Sequence, residues 1–414
     1  MSLSAAPYWR RLLVLYWITS FVEGLGVAQI YVFLPNRLAE VGVAGPDIPQ
    51  FVGWLGSLFF LSGLPFIPLW GVWADKYSRK AVIIRSALVE AVVFGVIAAS
   101  VAPWQLVVGM MLVGFQLGNT GVMMAAIRDA TPSHRFGLAM GIFAASSPLG
   151  FGAGPAIGAF MLDHLHLGSS AVFGLAALLS VVVALMLALW SREVRPEVVP
   201  TGSLMRLAFG AVRGVMADPI VRWLFAVYGL MFVGRSMTTQ YMALLIHDVE
   251  LTPLLVAGSI GLLGIATIVG AGLSPVGGWI ADRVGFRPVL VVAIGGIAIS
   301  FAALPLAPNV TWLAVAYSFA IAFQAVVGAM VSGLLATEVP SERRSATLNL
   351  VYLPLYLGGI AGPAIGANVV TAGLRTVFFA AAVVLVGSLV VAIAFVRRSG
   401  RGQGRSALAA DPGV

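Results

Sequence analysis

Ten residues, Gly71-Val-Trp-Ala-Asp75-Lys-Tyr-Ser-Arg79-Lys80, form a densely charged turn between two apolar runs, and the chain repeats it. The second copy reads Gly278-Trp-Ile-Ala-Asp282-Arg283-Val-Gly285-Phe-Arg287-Pro288, 207 residues on and half the length of the 414-residue chain. Other pairs keep the same order at nearly the same offset: Pro132 with Pro340, Gly154-Pro155 with Gly362-Pro363, and Gln29 with Gln240. Such a chain reads as a duplicated unit whose halves carry the same elements in the same order.

Apolar runs fill both halves. The chain is 60% hydrophobic and 10% charged, with a mean hydropathy of +1.00. Soluble domains carry about 25% charged residues, so this chain has too few to cover a water-facing surface. A bilayer core about 30 Å thick takes about 20 apolar residues per spanning helix. Runs of that kind are predicted at about 12–38, 51–73, 81–101, 105–127, 137–162 and 171–190, then at about 221–246, 254–280, 289–306, 311–336, 345–370 and 374–396. The fold class that follows is an all-α integral membrane protein with twelve transmembrane helices in two six-helix bundles. Residues 1–190 make the first bundle, 191–220 a cytoplasmic linker, 221–396 the second bundle and 397–414 a basic tail whose composition predicts disorder.

The charges are placed asymmetrically. Of 24 Lys and Arg residues, all but Arg37, Arg235 and Arg375 fall at or near the even-numbered connections and the tails. This positive-inside pattern predicts both termini in the cytoplasm of a cell membrane, inner or plasma. It also explains the net charge of +8 without a nucleic-acid partner. Cysteine is absent, so no disulfide, thiolate nucleophile or cysteine metal site can be built. His134, His164, His166 and His247 show no metal-binding spacing, and no phosphate-binding loop is present. No cofactor or metal is expected, and ATP is not the expected energy source. An intramembrane enzyme needs a nucleophile–base pair or clustered ligands, and a channel needs matched rings of charge. The halves instead carry unlike charges at matching depths, which points to a carrier and not an enzyme.

The turn at 71–80 and its copy look like the loop between the second and third helices of the major facilitator superfamily. The resemblance covers nearly the whole chain. It implies a secondary transporter working by alternating access around a small-molecule site. In it, Gly71, Asp75, Lys76, Arg79 and Lys80, with Asp129 across the bundle, form a cytoplasmic latch, as do Gly278, Asp282, Arg283 and Arg287 in the second copy. The latch is expected to hold the outward-facing state and to break on inward opening. A carboxylate near a helix N-terminus accepts hydrogen bonds from unpaired backbone N–H groups, and a glycine lets a neighbouring helix come close. The plain alternative is topogenic charge. Ser78 and Trp73 depart from the family pattern, where glycine and leucine are usual, without removing a charge.

In the fifth span, Gly141, Gly150, Gly154, Pro155 and Gly158 resemble the signature of the 12-helix drug:proton antiporters within the superfamily, with Ala159 replacing its final glycine. That resemblance implies export, although small residues at such spacing also serve ordinary helix packing. In the fourth span, Gln116 and Gly118 fit the antiporter pattern, but Val113 stands where relatives often place an arginine.

Ionisable residues at membrane depth carry the mechanism. Glu23 lies about 11 residues into the first span, or about 16 Å, and Arg235 is similarly deep in the seventh. A charge at the bilayer centre costs at least about 2.5–3.5 kcal/mol, so each is expected to face a cavity or a partner. Glu23 is read as the proton-coupling or cation-recognising carboxylate. Arg235 is read as its modulator or as a site for an anionic part of the substrate; a structural salt bridge between the halves is the alternative. Glu90 is a second deep acid, and Arg85, nearer the cytoplasm, reads as a snorkelling anchor. Gln29, Tyr31, Gln116, Asn119, Gln240, Tyr241, Gln324 and Asn349 are candidates for the cavity wall. The expected activity is proton-coupled efflux of amphipathic or cationic drugs by a monomer in the bilayer. The alternative cargo is an anionic metabolite or a lipid with a charged head group.

Overall fold

In lipid, a chain segment must satisfy its own backbone hydrogen bonds, and a helix does this within one segment. The computed structural model describes residues 7–194, 201–249, 256–338 and 353–409, and they are helices joined by short turns. The first half holds α1 (Tyr8–Glu40), α2 (Ile48–Leu61), α3 (Ile67–Lys76), α4 (Arg79–Ala99), α5 (Pro103–Val113), α6 (Asn119–Ala130), α7 (Phe136–Asp163) and α8 (Ser169–Trp190). In the linker lies α9 (Leu204–Met216). The second half holds α10 (Pro219–Thr239), α11 (Met242–Val249), α12 (Val256–Val284), α13 (Phe286–Ala303), α14 (Val310–Glu338), α15 (Leu353–Val369) and α16 (Leu374–Ala409). Among the described residues, eight helices are long and apolar enough to cross a bilayer. The protein is a multi-span membrane protein.

Three predicted spans are divided. The run at 51–73 becomes α2 and α3, parted around Pro65, where a proline removes a backbone donor and crowds the preceding turn. The run at 105–127 becomes α5 and α6, parted by Gly114–Gly118, and Gly118 takes a left-handed φ of 95°. These two breaks abut: Gly114 lies against Ser62 and the Gly63 backbone. The seventh run divides at Gln240–Tyr241. At the other end of the chain, α16 runs past 396 to Ala409, with no proline before Pro412 to stop it.

The repeat governs the packing. In the first half α1 lies along α7, with Gly150 against the Phe21 carbonyl and Gly154 against the Leu25 carbonyl. In the second half α10 lies along α15, with Gly358 against Phe232 and Gly362 against the Val233 carbonyl. The outer pairs α4–α8 and α13–α16 repeat in the same way. Close backbone approach through small residues is how helices gain contact in lipid, where apolar burial gives no net driving force.

Both charged turns sit at one end of the bundle. Arg287 lies over the Phe395 ring near the far part of α16, whereas Arg375 at its start pairs with Asp248 at the opposite end. At that opposite end the halves are pressed together. Gly53 meets Ala367 and Tyr241, Gly359 meets Phe60, and the Ser57 hydroxyl donates to the Ile360 carbonyl at 2.6 Å. Deeper in, Gly152 of α7 and Gly264 of α12 touch backbone to backbone. At the turn end, a side chain built at Gly71, Gly141 or Gly278 would meet nothing within 4 Å. The close helix approach expected at Gly71 and Gly278 is therefore absent in this conformation.

Candidate functional site

Between the halves lies a cavity of about 470 Å³. Its walls come from α1, α2, α6 and α7 on one side and from α10 to α12, α14 and α15 on the other. Glu23 and Tyr31 face it from α1, Arg235 from α10, Gln240 from the break after α10, and Tyr317 and Gln324 from α14. Pro155, in the middle of the α7 small-residue series, also lines it, while Gly158 packs on the Phe33 ring.

Glu23 and Arg235 open onto the same cavity, but no ion pair joins them. Glu23 Oε2 accepts a hydrogen bond from Asn119 Nδ2 at 3.0 Å, and the Gln116 amide lies beside the same carboxylate. The Arg235 guanidinium sits 5.9 Å from the Phe232 ring and faces the phenols of Tyr31 and Tyr317. A bridge locking the halves through these two residues is not formed in this conformation.

Four expected wall residues, Gln29, Tyr241, Gln116 and Asn119, do not line the cavity, the last two being buried beside Glu23. Gln29 is fully buried within the helix packing, with both side-chain polar atoms unpartnered. Tyr241 is buried at the closed end, its hydroxyl against Gly53. Glu90 lies behind Glu23, within its electrostatic reach, and its Oε1 has no hydrogen-bond partner. Asn349 and the side chain of Asp282 lie outside the described residues.

Arg85 is placed differently from its sequence reading. It does not snorkel to the head groups. Its guanidinium stacks on Trp70 at 3.7 Å and Nη2 donates to the Leu117 carbonyl at 3.2 Å. The break between α5 and α6 frees that carbonyl, and hydropathy alone gives no sign of the break. Val113, where relatives often carry an arginine, is buried among apolar neighbours at the end of α5.

At the turn end, Arg79 is 2% exposed and joins two acids. Its Nε donates to Asp75 at 2.8 Å and its Nη1 to Asp129 at 2.7 Å. Partial burial works to raise the Asp129 carboxyl, but hydrogen bonds from Arg79 and Arg128 outweigh it and hold it below the ordinary aspartate value. Lys80 Nζ caps the C-terminus of α8 at the Ala188 and Ser191 carbonyls, 2.9 and 2.8 Å away. Lys76 Nζ donates to Gly202 of the linker at 2.8 Å. The reading of the turn missed Glu193, which accepts from the Arg79 backbone N–H at 2.8 Å and from the Ser78 hydroxyl. An acid at the N-terminus of α4 complements the helix dipole, yet it lies too far along the chain for local spacing to reveal it. In the second copy Arg283 stacks on Trp279 at 3.7 Å.

A helical membrane protein with a largely apolar cavity shared by two repeated halves, into which a few charged and polar side chains project, has the architecture of a carrier. Residues 16–274 and 262–412 match the Major Facilitator Superfamily, and the chain belongs to that family. It is a transporter and not an enzyme. It is 27% identical over 402 residues to the multidrug resistance protein MdtG of Klebsiella pneumoniae, covering 94% of both chains. It is 26% identical over 384 residues to the multi-drug resistance efflux pump PmrA of Streptococcus pneumoniae, covering 90% of this chain and 92% of that one. Among solved structures, a variant of the nucleoside transporter NupG superposes with a TM-score of 0.79 at 16% identity, covering 93% of this chain and 99% of that one.

Proposed function

We propose that this chain exports cationic or amphipathic drugs in exchange for protons, by alternating access of two six-helix bundles in the cell membrane. On this reading twelve spans are completed by the divided runs α2–α3, α5–α6 and α10–α11. The Lys and Arg asymmetry puts the charged turns and both termini in the cytoplasm. The conformation described is then the inward-facing one, and each chain acts as a monomer around its own cavity.

The observation that carries the proposal is Glu23, a carboxylate on the wall of a largely apolar cavity between the two halves. Its negative charge attracts a cationic cargo, and a proton on the same oxygens displaces that cargo by removing the attraction. The full names of MdtG and PmrA support drugs as the cargo. One proton moved through about 100 mV supplies about 2.3 kcal/mol, enough for a roughly 50-fold concentration ratio.

Proteoliposomes loaded with ethidium and a pH-sensitive dye test the exchange. Wild-type protein is expected to couple ethidium movement to opposite proton flux, and Glu23→Gln to lose the coupled proton flux. Undiminished proton flux in Glu23→Gln removes Glu23 from the mechanism. The Arg235 guanidinium on the opposite wall, flanked by the Tyr31 and Tyr317 phenols, favours a second reading in which the cargo carries an anionic group. Counterflow with labelled cationic dyes against organic anions separates the two: failure of the dyes to compete for binding supports the second.

A further inference from the structure

Arg85 carries two buried nitrogens, Nε and Nη1, without a hydrogen-bond partner. A guanidinium presents five donors in a rigid fork, and leaving donors buried and unpaired is costly. Here Nη2 caps the carbonyls of Gln116 and Leu117, and the face of the group rests on Trp70. A residue needed only to cap the broken helix would not hold the rest of its fork unpaired at this depth.

Glu23 grips the same short stretch from the cavity side. Its carboxylate takes the Asn119 amide, two residues after the Leu117 carbonyl that Arg85 holds. Glu23 and Arg85 are within electrostatic reach of each other. The other charged or titratable groups near Glu23 are Glu90 behind it, Tyr31 further along the same helix and, across the cavity, Arg235 and Tyr317. The Asn119 amide donates one N–H to Glu23 and brings no charge. A bare carboxylate taken out of water needs an opposite charge. Arg235 lies on the other half and moves away whenever the halves part, so it cannot serve throughout the cycle. Arg85 belongs to the same half as Glu23.

Resting on the proton-exchange reading above, we propose that Arg85 is the positioning residue for proton coupling: on losing its proton Glu23 keeps the Asn119 N–H and turns its other oxygen to the free fork of Arg85, and on regaining it turns back. Because Arg85 also holds the carbonyls of the α5–α6 break, each turn of Glu23 pulls on the break that abuts α3. The cation missing at Val113 is thus supplied from α4.

Infrared titration of the full chain in nanodiscs tests this without transport, the Glu23 carboxyl band being identified by its loss in E23Q. An opposite charge nearby favours the ionised carboxylate by about 1–3 pH units, so the band midpoint is expected to move up by that amount in R85Q and by less in R85K. An unmoved midpoint in R85Q overturns the proposal. Should R85Q fold poorly, the double variant E23Q/R85Q is decisive, since removing both partners relieves an uncompensated buried charge. Its melting temperature is expected to exceed that of R85Q. No recovery reduces Arg85 to a carbonyl cap and overturns the proposal. Ethidium–proton exchange by wild-type protein is measured in parallel. Its absence refutes the exchange reading, whereas normal exchange with an unmoved R85Q midpoint refutes the Arg85 role alone.

Discussion

Asp129 shows how one residue sets where pH can act. Its carboxyl is held below the ordinary aspartate value of about 3.9 by Arg79 and Arg128, against the opposing pull of partial burial. A group with a depressed folded value contributes stability that is fully present above the unfolded value and is lost as pH falls through the folded one. The Asp129 contribution is therefore constant from pH 8 down to about 5 and disappears only below about 4. Asp129→Asn is expected to cost about 1.5–3 kcal/mol, the worth of a hydrogen bond to a charged group. That loss in detergent melting should be the same at pH 8 and pH 5.5; a deficit that grows between them would make the turn a pH sensor. Arg37 and Arg375 belong at this scale too. They break the positive-inside pattern because each is neutralised locally, Arg37 by Glu40 at 2.7 Å and Arg375 by Asp248 at 2.9 Å. Arg37 also caps the end of α4 through the Ile97 and Ala98 carbonyls.

At the scale of elements, the sequence told apart what hydropathy and repetition can carry from what they cannot. Apolar runs announce helices because lipid leaves the backbone no other partner, and the depth of Glu23 and Arg235 could be counted from the ends of their runs. Hydropathy does not show the breaks in those runs, although Pro65 and the glycines at 114 and 118 mark them. The carbonyls of Gln116 and Leu117, freed by the second break, are taken by Arg85 and Ser86. Missing the second break meant misplacing Arg85, whose partner carbonyls exist only because of it. Likewise Gln29 and Tyr241 have the polarity of wall residues, but helix rotation turns them into the packing. The contact between α7 and α12 gives an element-scale prediction. A side chain at Gly264 meets the Gly152 carbonyl, and overpacking of this kind costs about 1–3 kcal/mol. Gly264→Leu should therefore open the closed end. Because the chain has no native cysteine, a Ser57→Cys probe can report it. Maleimide should react with Ser57→Cys slowly alone and faster with Gly264→Leu added; equal rates would mean that α7 and α12 do not hold that end shut.

For the molecule as a whole, the two ends make opposite demands on glycine. The repeat places Gly71 and Gly278 on matching turns, and both face open space in the conformation described. If the halves rock about the cavity as bodies, closing the turn end must bring helices against those two positions. Gly71→Val and Gly278→Val then leave the present conformation undisturbed and penalise the alternate one by about 1–3 kcal/mol, roughly five- to 150-fold in population. Each variant should bind ethidium from the turn side with wild-type affinity yet transport it more slowly. Maleimide labelling of Ser57→Cys should fall below that of the parent, the reverse of the Gly264→Leu result. A rigid rocker requires the two substitutions to move labelling in opposite directions while both reduce transport. Should Gly71→Val slow transport and raise Ser57→Cys labelling, the ends would open independently and the halves would not move as bodies. The charged turns would then act as local anchors for α4 and α8, through Lys80 and Glu193, with no part in closing the path.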